Sequence, residues 1–353
     1  MNIRRLAFIS EDLSFPIDEG MKKFNFFLVQ YIQANFPEFR FYSQIMWDQK
    51  IPYFMIKGKS LISLRLLRDI RAFRPELIVY SPLASGTFFS YLKLFLIGIA
   101  QPESKTLLIN LQRRHHGFLS RLIIRQIKPD FVAVFSKPDF NYIKSIKIKL
   151  FFCKTGVDNL QFSQISDQKK SELRKKYGYE KEDRIILHVG HLNKGRNIKS
   201  LKSLVSEGNK VLIAGSTSTT ADQALKQELI KTGIRIFDYY IENIEELYQL
   251  SDVYLFTVIS NHSAIEFPLS VLEAMACNLP VITTPYGSLK DYFHESTCFR
   301  YYTHEEELPQ LIESVLQAKC DNNSKIAGLF TWQSVFNELF NNIEANGFLF
   351  NRN

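Results

Sequence analysis

The sequence predicts an α/β protein built from two doubly wound, Rossmann-like domains. Short apolar runs of strand character recur along both halves, and most are separated by segments whose apolar residues have helical spacing. Regular alternation of strands and helices is typical of a parallel sheet with helices on both faces. A length of 353 residues and a hydrophobic fraction of 46% suit two domains that each bury a core.

In the first half, apolar periods of three and four predict helices over residues 21–34 and 61–73. The predicted strands cover residues 6–10, 39–43, 76–80, 106–110 and 131–135. Ligands in such sheets bind at the carboxyl ends of strands, which draws attention to the loop after the first strand. Gly20 ends that loop, and it is either an ordinary loop residue or a point where substrate approaches the backbone.

The second half repeats the alternation. Strands are predicted over residues 184–189, 210–215, 234–237 and 253–258, with a helix over 244–250. Pro268 then fits the first turn of a helix over 270–277, and Asn278 tolerates the left-handed conformation that ends it. Pro280 stops the helix, and a short buried strand follows over 281–284. The sequence becomes polar and charged from Thr155, which indicates a domain boundary there.

Charge is unevenly divided between the two halves. Residues 1–156 contain 24 Lys and Arg against 11 Asp and Glu, whereas residues 157–353 contain 20 against 25. The basic half favours an anionic partner, either a phosphorylated acceptor, a leaflet of acidic lipids or nucleic acid, or else its charge is solvated surface. Segments 57–74 and 118–128 interleave basic and apolar residues, as in a membrane-surface helix or an ordinary amphipathic one. No nucleic-acid-binding motif accompanies the charge, so we expect no nucleic-acid partner.

Four cysteines lie far apart without C-x-x-C spacing, and we expect all four to be reduced thiols: Cys153, Cys277, Cys298 and Cys320. No histidine is placed to complete a metal site with them. The N-terminal apolar segment is short for a signal peptide, and the longest apolar run covers only residues 94–100. We therefore expect a cytoplasmic protein without a membrane-spanning helix.

Glu273 is an ionisable residue among Val, Leu, Ala and Met on the predicted helix over 270–277, and a carboxylate so placed needs a partner. The stretch around it resembles the signature of the family-4 retaining glycosyltransferases. The matching residues are Phe267, Leu269, Glu273, Ala274, Met275, Ala276, Pro280 and Val281. The resemblance implies a two-domain GT-B fold with a cleft between the domains. It also implies that Glu273 binds the ribose of a nucleotide sugar, while the loop and helix start, including Ser270, face the diphosphate.

The sequence departs from this signature at the first of its two glutamates. Ile265 occupies that position, Glu266 comes one residue late, and Pro268 replaces a glycine. Because the first glutamate of the family contacts the donor sugar, Glu266 is the candidate to take over that contact.

Other segments extend the resemblance. Gly190 follows the strand over 184–189, and its loop would let the backbone approach a phosphate, with Lys194 and Arg196 as counter-charges. His191 stands where family members usually have an arginine, and Arg196 stands at their lysine. After the strand over 106–110, His115 and His116 either contact a sugar hydroxyl or phosphate or belong to a basic surface loop.

The resemblance implies an acceptor-binding domain over 1–160, a donor-binding domain over 161–330, and a terminal helix over 331–353 that returns to the first domain. We therefore expect a glycosyltransferase that moves a sugar from a UDP- or GDP-sugar to a glycan or lipid-linked acceptor, with retention and without a metal or other cofactor. Peripheral contact with the inner face of an anionic membrane is a further expectation. The alternatives are a sugar-nucleotide epimerase and a non-catalytic relative that binds nucleotide or membrane.

Overall fold

The computed structural model describes residues 3–48, 50–56, 62–218, 220–260 and 262–347. The chain divides into two compact units. The first comprises Met1–Lys154, Ile265–Phe267 and Trp332–Asn353, and the second comprises Thr155–Ala264 and Pro268–Thr331. Three residues of the predicted signature loop thus belong to the first unit, although the residues on both sides of them belong to the second.

A parallel sheet forms the centre of the first unit. Its strands are β1 (Arg5–Ile9), β2 (Glu38–Ser43), β3 (Tyr53–Met55), β4 (Leu77–Tyr80), β5 (Lys105–Asn110), β6 (Phe131–Val134) and β7 (Lys149–Phe152). Within the described ranges their order is β3-β2-β1-β4-β5-β6-β7, and every pairing is parallel. Strands β4 and β6 are buried at every position, as expected when helices cover both faces of a sheet.

Among the described residues of this unit, five helices connect these strands. They are α1 (Gly20–Asn35), α2 (Leu64–Phe73), α3 (Phe88–Ala100), α4 (Phe118–Gln126) and α5 (Lys137–Lys144). Local sequence explains where several begin. The hydroxyl groups of Ser63, Thr87 and Ser136 accept hydrogen bonds from backbone N–H groups in the first turns of α2, α3 and α5.

The second unit repeats this plan. Its strands are β8 (Ile185–Val189), β9 (Lys210–Ala214), β10 (Arg235–Phe237), β11 (Val253–Phe256), β12 (Val281–Thr283) and β13 (Phe299–Tyr301). Its helices are α6 (Asp167–Tyr177), α7 (Lys202–Ser206), α8 (Gln223–Lys231), α9 (Glu245–Leu250), α10 (Leu269–Ala276), α11 (Leu289–Tyr292), α12 (Leu308–Gln317) and α13 (Asn323–Ala327). In the part of the chain that is described, the strand order is β10-β9-β8-β11-β12-β13.

The last helix, α14 (Trp332–Gly347), belongs to the first unit and packs against α1. Aromatic rings form this contact. The Trp332 ring stacks on Phe27 with centroids 4.7 Å apart, and it meets Phe24 edge to face at 5.9 Å. Phe336 continues the cluster, with its centroid 5.4 Å from that of Phe24. The α1–α14 contact is therefore an extension of the first unit's core.

Strand order determines where a ligand can enter each unit. In the second sheet the order reverses beside β8, with β9 on one side and β11 on the other. In the first sheet it reverses beside β1, with β2 on one side and β4 on the other. Loops diverge at such a reversal and leave a crevice at the carboxyl ends of the strands.

The predicted fold class, α/β with two doubly wound parallel sheets, is confirmed. Three strands were not predicted, namely β3, β7 and β13, and each has only three or four residues. All three are edge strands, and their burial is incomplete, so they lack the apolar runs of central strands.

The expectation of four reduced thiols is wrong for two cysteines, because Cys298 and Cys320 form a disulfide. They are 22 residues apart in sequence, and only the packing of β13 beside the chain that follows α12 brings them together. Cys153 and Cys277 are free and buried. Among the residues that are described, no helix has the length and apolar character needed to cross a bilayer.

Replacing Trp332 with alanine should remove the centre of the α1–α14 contact. A buried tryptophan truncated to alanine costs about 3–5 kcal/mol, so we expect a fall of that size in the free energy of unfolding of the first unit. Urea unfolding followed by circular dichroism measures it. Gln333→Ala on the exposed face of the same helix is the control, and equal unfolding midpoints for the two variants would contradict this packing role.

Candidate functional site

In the second unit, the loop after β8 folds back over its own first residue. Gly190 follows the strand directly, and a Cβ at this position would overlap the guanidinium of Arg196. The turn that returns the chain covers Lys194–Arg196, and its last carbonyl accepts a hydrogen bond from the buried Thr257 hydroxyl at 2.6 Å. Only glycine allows this approach, so Gly190 and Arg196 form one structural unit.

The two basic residues of this turn have different environments. The side chain of Lys194 is exposed, whereas Arg196 is buried at 8% exposure. His191 lies between them and the strand and is partly buried. A guanidinium that is shielded from water interacts more strongly with an anion than an exposed ammonium does. Arg196 is therefore the stronger candidate for an anion contact.

His188 lies beneath this loop, on β8. Its ring is fully buried, and Nδ1 lies 2.9 Å from the carbonyl oxygen of Leu255. Because a carbonyl only accepts, Nδ1 carries the proton and Nε2 is left as an acceptor. Burial lowers the pKa of His188 to about 4, and the nearby charge of Arg196 contributes to this shift. Nε2 has no hydrogen-bond partner in the described part of the chain and faces the Gly190 position.

A second loop, after β11, meets the first one. A Cβ at Gly195 would overlap the hydroxyl of Ser263. Tyr286 fixes the next residue: its hydroxyl donates to the carbonyl oxygen of Ala264 at 2.6 Å and accepts from the Ala264 N–H at 3.2 Å. The two loops thus meet at the strand-order reversal of the second sheet, where the Ser263 side chain lies against Gly195.

Helix α10 begins just after this second loop. Pro268 is its N-cap and supplies no side-chain hydrogen bond to the first turn. Leu269 is buried and Ser270 partly buried at the helix start. Burial raises the pKa of the nearby Tyr254, and the proximity of the Ser270 side chain and the charge of Arg196 oppose that shift. The start of α10 and the Arg196 turn therefore converge on Tyr254 within the second unit.

Glu273 lies one turn into α10 and is buried. Its Oε2 accepts a hydrogen bond from the hydroxyl of Tyr248 at 2.7 Å. Burial and the negative charge of Glu273 both raise the pKa of Tyr248, so the tyrosine stays a neutral donor. The partner that the sequence requires for this carboxylate is thus a tyrosine on α9.

In the first unit, polar side chains cluster at the carboxyl ends of β5 and β6. Asn110, the last residue of β5, donates through Nδ2 to Oδ2 of Asp139 at 2.7 Å. Its Oδ1 accepts from the N–H of Gly86 at 2.8 Å and from the hydroxyl of Ser85 at 2.7 Å. Asp139 lies in the first turn of α5 and is fully buried.

Glu266 joins this cluster through the short segment Ile265–Phe267. Its backbone N–H donates to the carbonyl oxygen of Leu111 at 2.8 Å. Its carboxylate is 2% exposed and accepts from the backbone N–H of Arg113 at 3.4 Å. Burial raises the pKa of Asp139 to about 8, with the negative charge of Glu266 as the second cause. Asp139 and Glu266 are thus two buried carboxyl groups that lie close enough for their charges to interact.

The two histidines predicted as site residues differ in environment. His116 is partly buried, and its backbone N–H donates to the hydroxyl of Tyr142 at 2.5 Å. Burial lowers the pKa of His116, and the positive charges of His115 and Arg121 lower it further. His115 is exposed and touches the edge of the Tyr142 ring. A neutral imidazole at His116 can exchange a hydrogen bond with a hydroxyl.

Gly20 and Ile265 face each other in the first unit. Gly20 begins α1, and a Cβ there would lie 3.0 Å from Cδ1 of Ile265. Ile265 is buried, as is Phe267. The residue at the position of the family's first glutamate is thus an apolar side chain packed on a glycine.

The predicted site residues fall into two groups, one in each unit. The second unit holds Gly190, His191, Lys194, Arg196, Leu269, Ser270 and Glu273, and the first holds Gly20, His115, His116, Glu266 and Phe267. The sequence did not point to His188 or Asp139, because one lies inside an apolar strand and the other at an ordinary helix start. No group of three His, Cys, Asp or Glu side chains in the described ranges is arranged to hold a metal ion.

A separate cavity of about 250 Å³ lies in the second unit. Its lining includes Asp252, Cys277 and Pro280, which precede β11 and β12. It therefore lies at the amino ends of these strands, at the opposite edge of the sheet from the Gly190 loop.

Comparison with known proteins finds a family model that matches most of the second unit. Residues 169–326 match the family model described as glycosyl transferases group 1. A Bacillus subtilis (strain 168) protein named for glycosyltransferase activity, EpsD, is 29% identical over 136 residues, which are 36% of this chain and 35% of that protein. N-acetyl-alpha-D-glucosaminyl L-malate synthase of Bacillus anthracis is 27% identical over 128 residues, 34% of this chain and 32% of that protein. The chain thus spans about a third of the length of these relatives.

Solved structures extend the similarity to the whole fold. Anabaena HepE in complex with UDP has a TM-score of 0.78 and 12% identity, covering 97% of this chain and 100% of that one. The same protein in complex with UDP-glucose has a TM-score of 0.74 and 13% identity, covering 97% and 99%. The chain therefore has the GT-B fold of these structures, and its residues 169–326 match the glycosyl transferases group 1 model.

Proposed function

We propose that this chain transfers a sugar from a nucleoside-diphosphate donor, bound by the second unit, to a hydroxyl of a glycan or lipid-linked acceptor. The observation that carries the proposal is the convergence of the Gly190–Arg196 loop and the start of α10 on Tyr254. A glycine-lined backbone, a shielded guanidinium and the positive end of a helix dipole together suit a diphosphate. HepE, of similar fold, is a protein solved with UDP and with UDP-glucose.

Each residue then has a defined role in donor binding. Arg196 faces the diphosphate, and neutral His188 allows that charge to remain buried because it adds no competing cation. Glu273, oriented by Tyr248, accepts from the ribose hydroxyls, while Leu269 and Ser270 present the first-turn N–H groups. Lys194 and His191 lie on the outer side of the loop, where they contact the sugar or phosphate.

The reaction needs charge stabilisation more than a nucleophile. The bond between the sugar C1 and the leaving phosphate oxygen breaks, and a bond from C1 to the acceptor oxygen forms. The acceptor proton passes to the departing diphosphate, whose growing charge Arg196 and the α10 dipole stabilise. The family resemblance supports retention of configuration and transfer without a metal ion.

The polar cluster of the first unit offers groups that can bind hydroxyls. Glu266, one residue after the apolar Ile265, offers its carboxylate to sugar hydroxyls. His116, held neutral by its surroundings, accepts a hydrogen bond from an acceptor hydroxyl. Gly20 keeps the start of α1 open enough for Ile265 to pack there.

An anionic membrane is the partner that best fits the outer surface of the first unit. Helices α3 and α4 pack against each other, and their outer faces expose large apolar side chains. We name this the α3–α4 surface: Phe89, Phe95, Leu96, Ile99, Phe118, Leu119, Leu122 and Ile123. Arg121 and Arg125 flank it. Exposed apolar residues bordered by cations are typical of proteins that rest on acidic lipids.

One observation favours a second candidate, a nucleotide-binding relative without transferase activity. Ile265 packs on Gly20 and offers no polar group where the family places a sugar-binding glutamate. The two candidates share nucleotide binding and differ in whether an acceptor consumes the donor. An epimerase would instead change the donor without any acceptor.

A panel of UDP- and GDP-sugars should reveal the donor as the compound that raises the thermal unfolding temperature. A ligand at a hundred times its Kd stabilises the native state by about 2.7 kcal/mol. The stabilising donor is then incubated with glycan and lipid-linked acceptors, and release of the nucleoside diphosphate is measured. Stabilisation by none of these compounds would contradict donor binding, whereas binding without acceptor-dependent release would favour the non-catalytic candidate.

Replacing Glu273 with alanine should weaken nucleotide binding by about 10- to 100-fold, the effect of losing a charge-assisted hydrogen bond. Isothermal titration calorimetry with the stabilising nucleotide measures the change in Kd. Glu273→Gln keeps an acceptor for Tyr248 and separates ribose contact from local packing. Glu306→Ala, an exposed glutamate of the same unit, is the control. Unchanged affinity in Glu273→Ala would overturn the ribose assignment.

The protein should sediment with vesicles that contain phosphatidylglycerol and less with pure phosphatidylcholine, and moderate salt should reduce binding. Leu119 is 72% exposed, and burying such a side chain contributes about 1–2 kcal/mol, so Leu119→Asp should lower the bound fraction about tenfold. Leu160→Asp, on a leucine of the second unit that is 94% exposed, is the control. Equal sedimentation of the two variants would remove the α3–α4 surface from the proposal.

A further inference from the structure

Two carboxyl groups of the first unit, Asp139 and Glu266, are buried beside each other at the carboxyl ends of β5 and β6. Both cannot be ionised there without a large cost, because like charges repel strongly where water is excluded. The hydrogen bonds around them indicate which one carries the proton.

The orientation of the Asn110 amide determines whether one oxygen of Asp139 donates or accepts a hydrogen bond. Its Oδ1 accepts from the Gly86 N–H and the Ser85 hydroxyl, so its Nδ2 must be the donor to Asp139 Oδ2. A Cβ at Gly86 would lie 2.5 Å from Asn110 Oδ1, which leaves no room for the amide to turn. Oδ2 of Asp139 is therefore an acceptor in this arrangement.

The other oxygen of Asp139 has a different environment. Oδ1 is buried and has no hydrogen-bond partner among the residues described. An ionised carboxylate would bury a charge there with no donor to stabilise it, whereas a protonated acid leaves only a neutral O–H without a partner, which costs less free energy. The Tyr91 hydroxyl is also buried without a partner in the described ranges, and the charge of Asp139 affects its pKa.

The two neighbouring charges act on the pKa of Asp139 in opposite directions, and burial decides the balance. The groups facing Asp139 are Glu266 on the 265–267 segment, Arg113 after β5, and Tyr91 on α3, which also senses Tyr142 on α5. Burial and Glu266 raise the pKa of Asp139 to about 8, and the Asn110 hydrogen bond and Arg113 only partly oppose this. At neutral pH Asp139 therefore holds its proton.

We propose that Asp139 is a neutral acid in the folded protein and acts as the positioning residue that keeps the Glu266 carboxylate docked at the end of β5. As an acid it adds no repulsion to Glu266, whose backbone N–H is bonded to Leu111. The consequence for catalysis rests on the proposed function, because Glu266 is the residue assigned there to the sugar. The protonation itself does not depend on that function.

This arrangement predicts a specific dependence on pH. The pKa of Asp139 is about 8 in the folded state and near 3.8 in the unfolded chain, so between these values the native state binds a proton that unfolding releases. The contribution to stability is full below pH 4 and is lost as pH rises towards 8. Above that pH, ionised Asp139 repels Glu266 and loosens the 265–267 segment.

The test compares urea unfolding of the full chain from pH 5 to 9 in the wild type, Asp139→Asn and Glu103→Gln, an exposed control in the same unit. Asparagine has the shape of the neutral acid and cannot ionise. Between pH 5 and 8 the free energy of unfolding should fall more steeply with pH in the wild type than in Asp139→Asn, by the slope that corresponds to about one bound proton. Glu103→Gln should give the same slope as the wild type. Parallel curves for the wild type and Asp139→Asn would overturn the proposal.

Glu266→Gln provides a second, independent variant. Removing its charge takes away the second cause of the raised pKa, so the pH at which stability levels off should move down. A transition at an unchanged pH would show that the titration of Asp139 does not depend on the charge of Glu266.

Once the donor and the acceptor are known, transfer rates provide a further measurement. The ratio of the rate at pH 9 to the rate at pH 7 should be higher in Asp139→Asn than in the wild type. If the wild type transfers no sugar, the proposed function fails, while the unfolding curves still decide on Asp139.

Discussion

Ionisable groups at the edges of the two sheets are buried, and each one must be neutral or have a partner, because an uncompensated charge in a protein interior is costly. Arg196 lies over the neutral His188, Glu273 is bonded to Tyr248, and Glu266 lies beside the acid Asp139. Both units therefore meet the same requirement for buried ionisable groups, and the neutral or hydrogen-bonding neighbour differs from site to site.

Glycine and short polar side chains make these solutions geometrically possible. Because Gly190 has no side chain, the Arg196 guanidinium can lie against the backbone there. Because Gly86 has none, the Asn110 amide fits in one fixed orientation, in which its oxygen accepts from Gly86 and its nitrogen donates to Asp139. Neither contact depends on flexibility of the loop. Both depend on the absence of a side chain at one position, so the site is preorganised by packing.

The sequence was sufficient for the fold class, because central parallel strands are continuous apolar runs and the signature around Glu273 is dense. It was insufficient where structure depends on contacts between distant segments. The edge strands β3, β7 and β13 are stabilised by pairing and carry weak patterns of their own. The pairing of Cys298 with Cys320 required the position of β13, and the role of Asp139 on α5 required Asn110 at the end of β5. Placing residues 265–267 in the first unit likewise required the hydrogen bond from Glu266 to Leu111.

The position of α14 has a consequence for the order in which the protein is made. Its aromatic residues complete the core beside α1, yet the ribosome synthesises them after the whole second unit. Phe24 and Phe27 therefore lack their contacts with Trp332 and Phe336 until about three hundred more residues have been synthesised. The second unit can fold before the first is complete. For most of its synthesis, a nascent chain of this protein exposes the aromatic side chains of α1 that α14 later covers. A chaperone that binds apolar surfaces would be able to bind the nascent chain at this site.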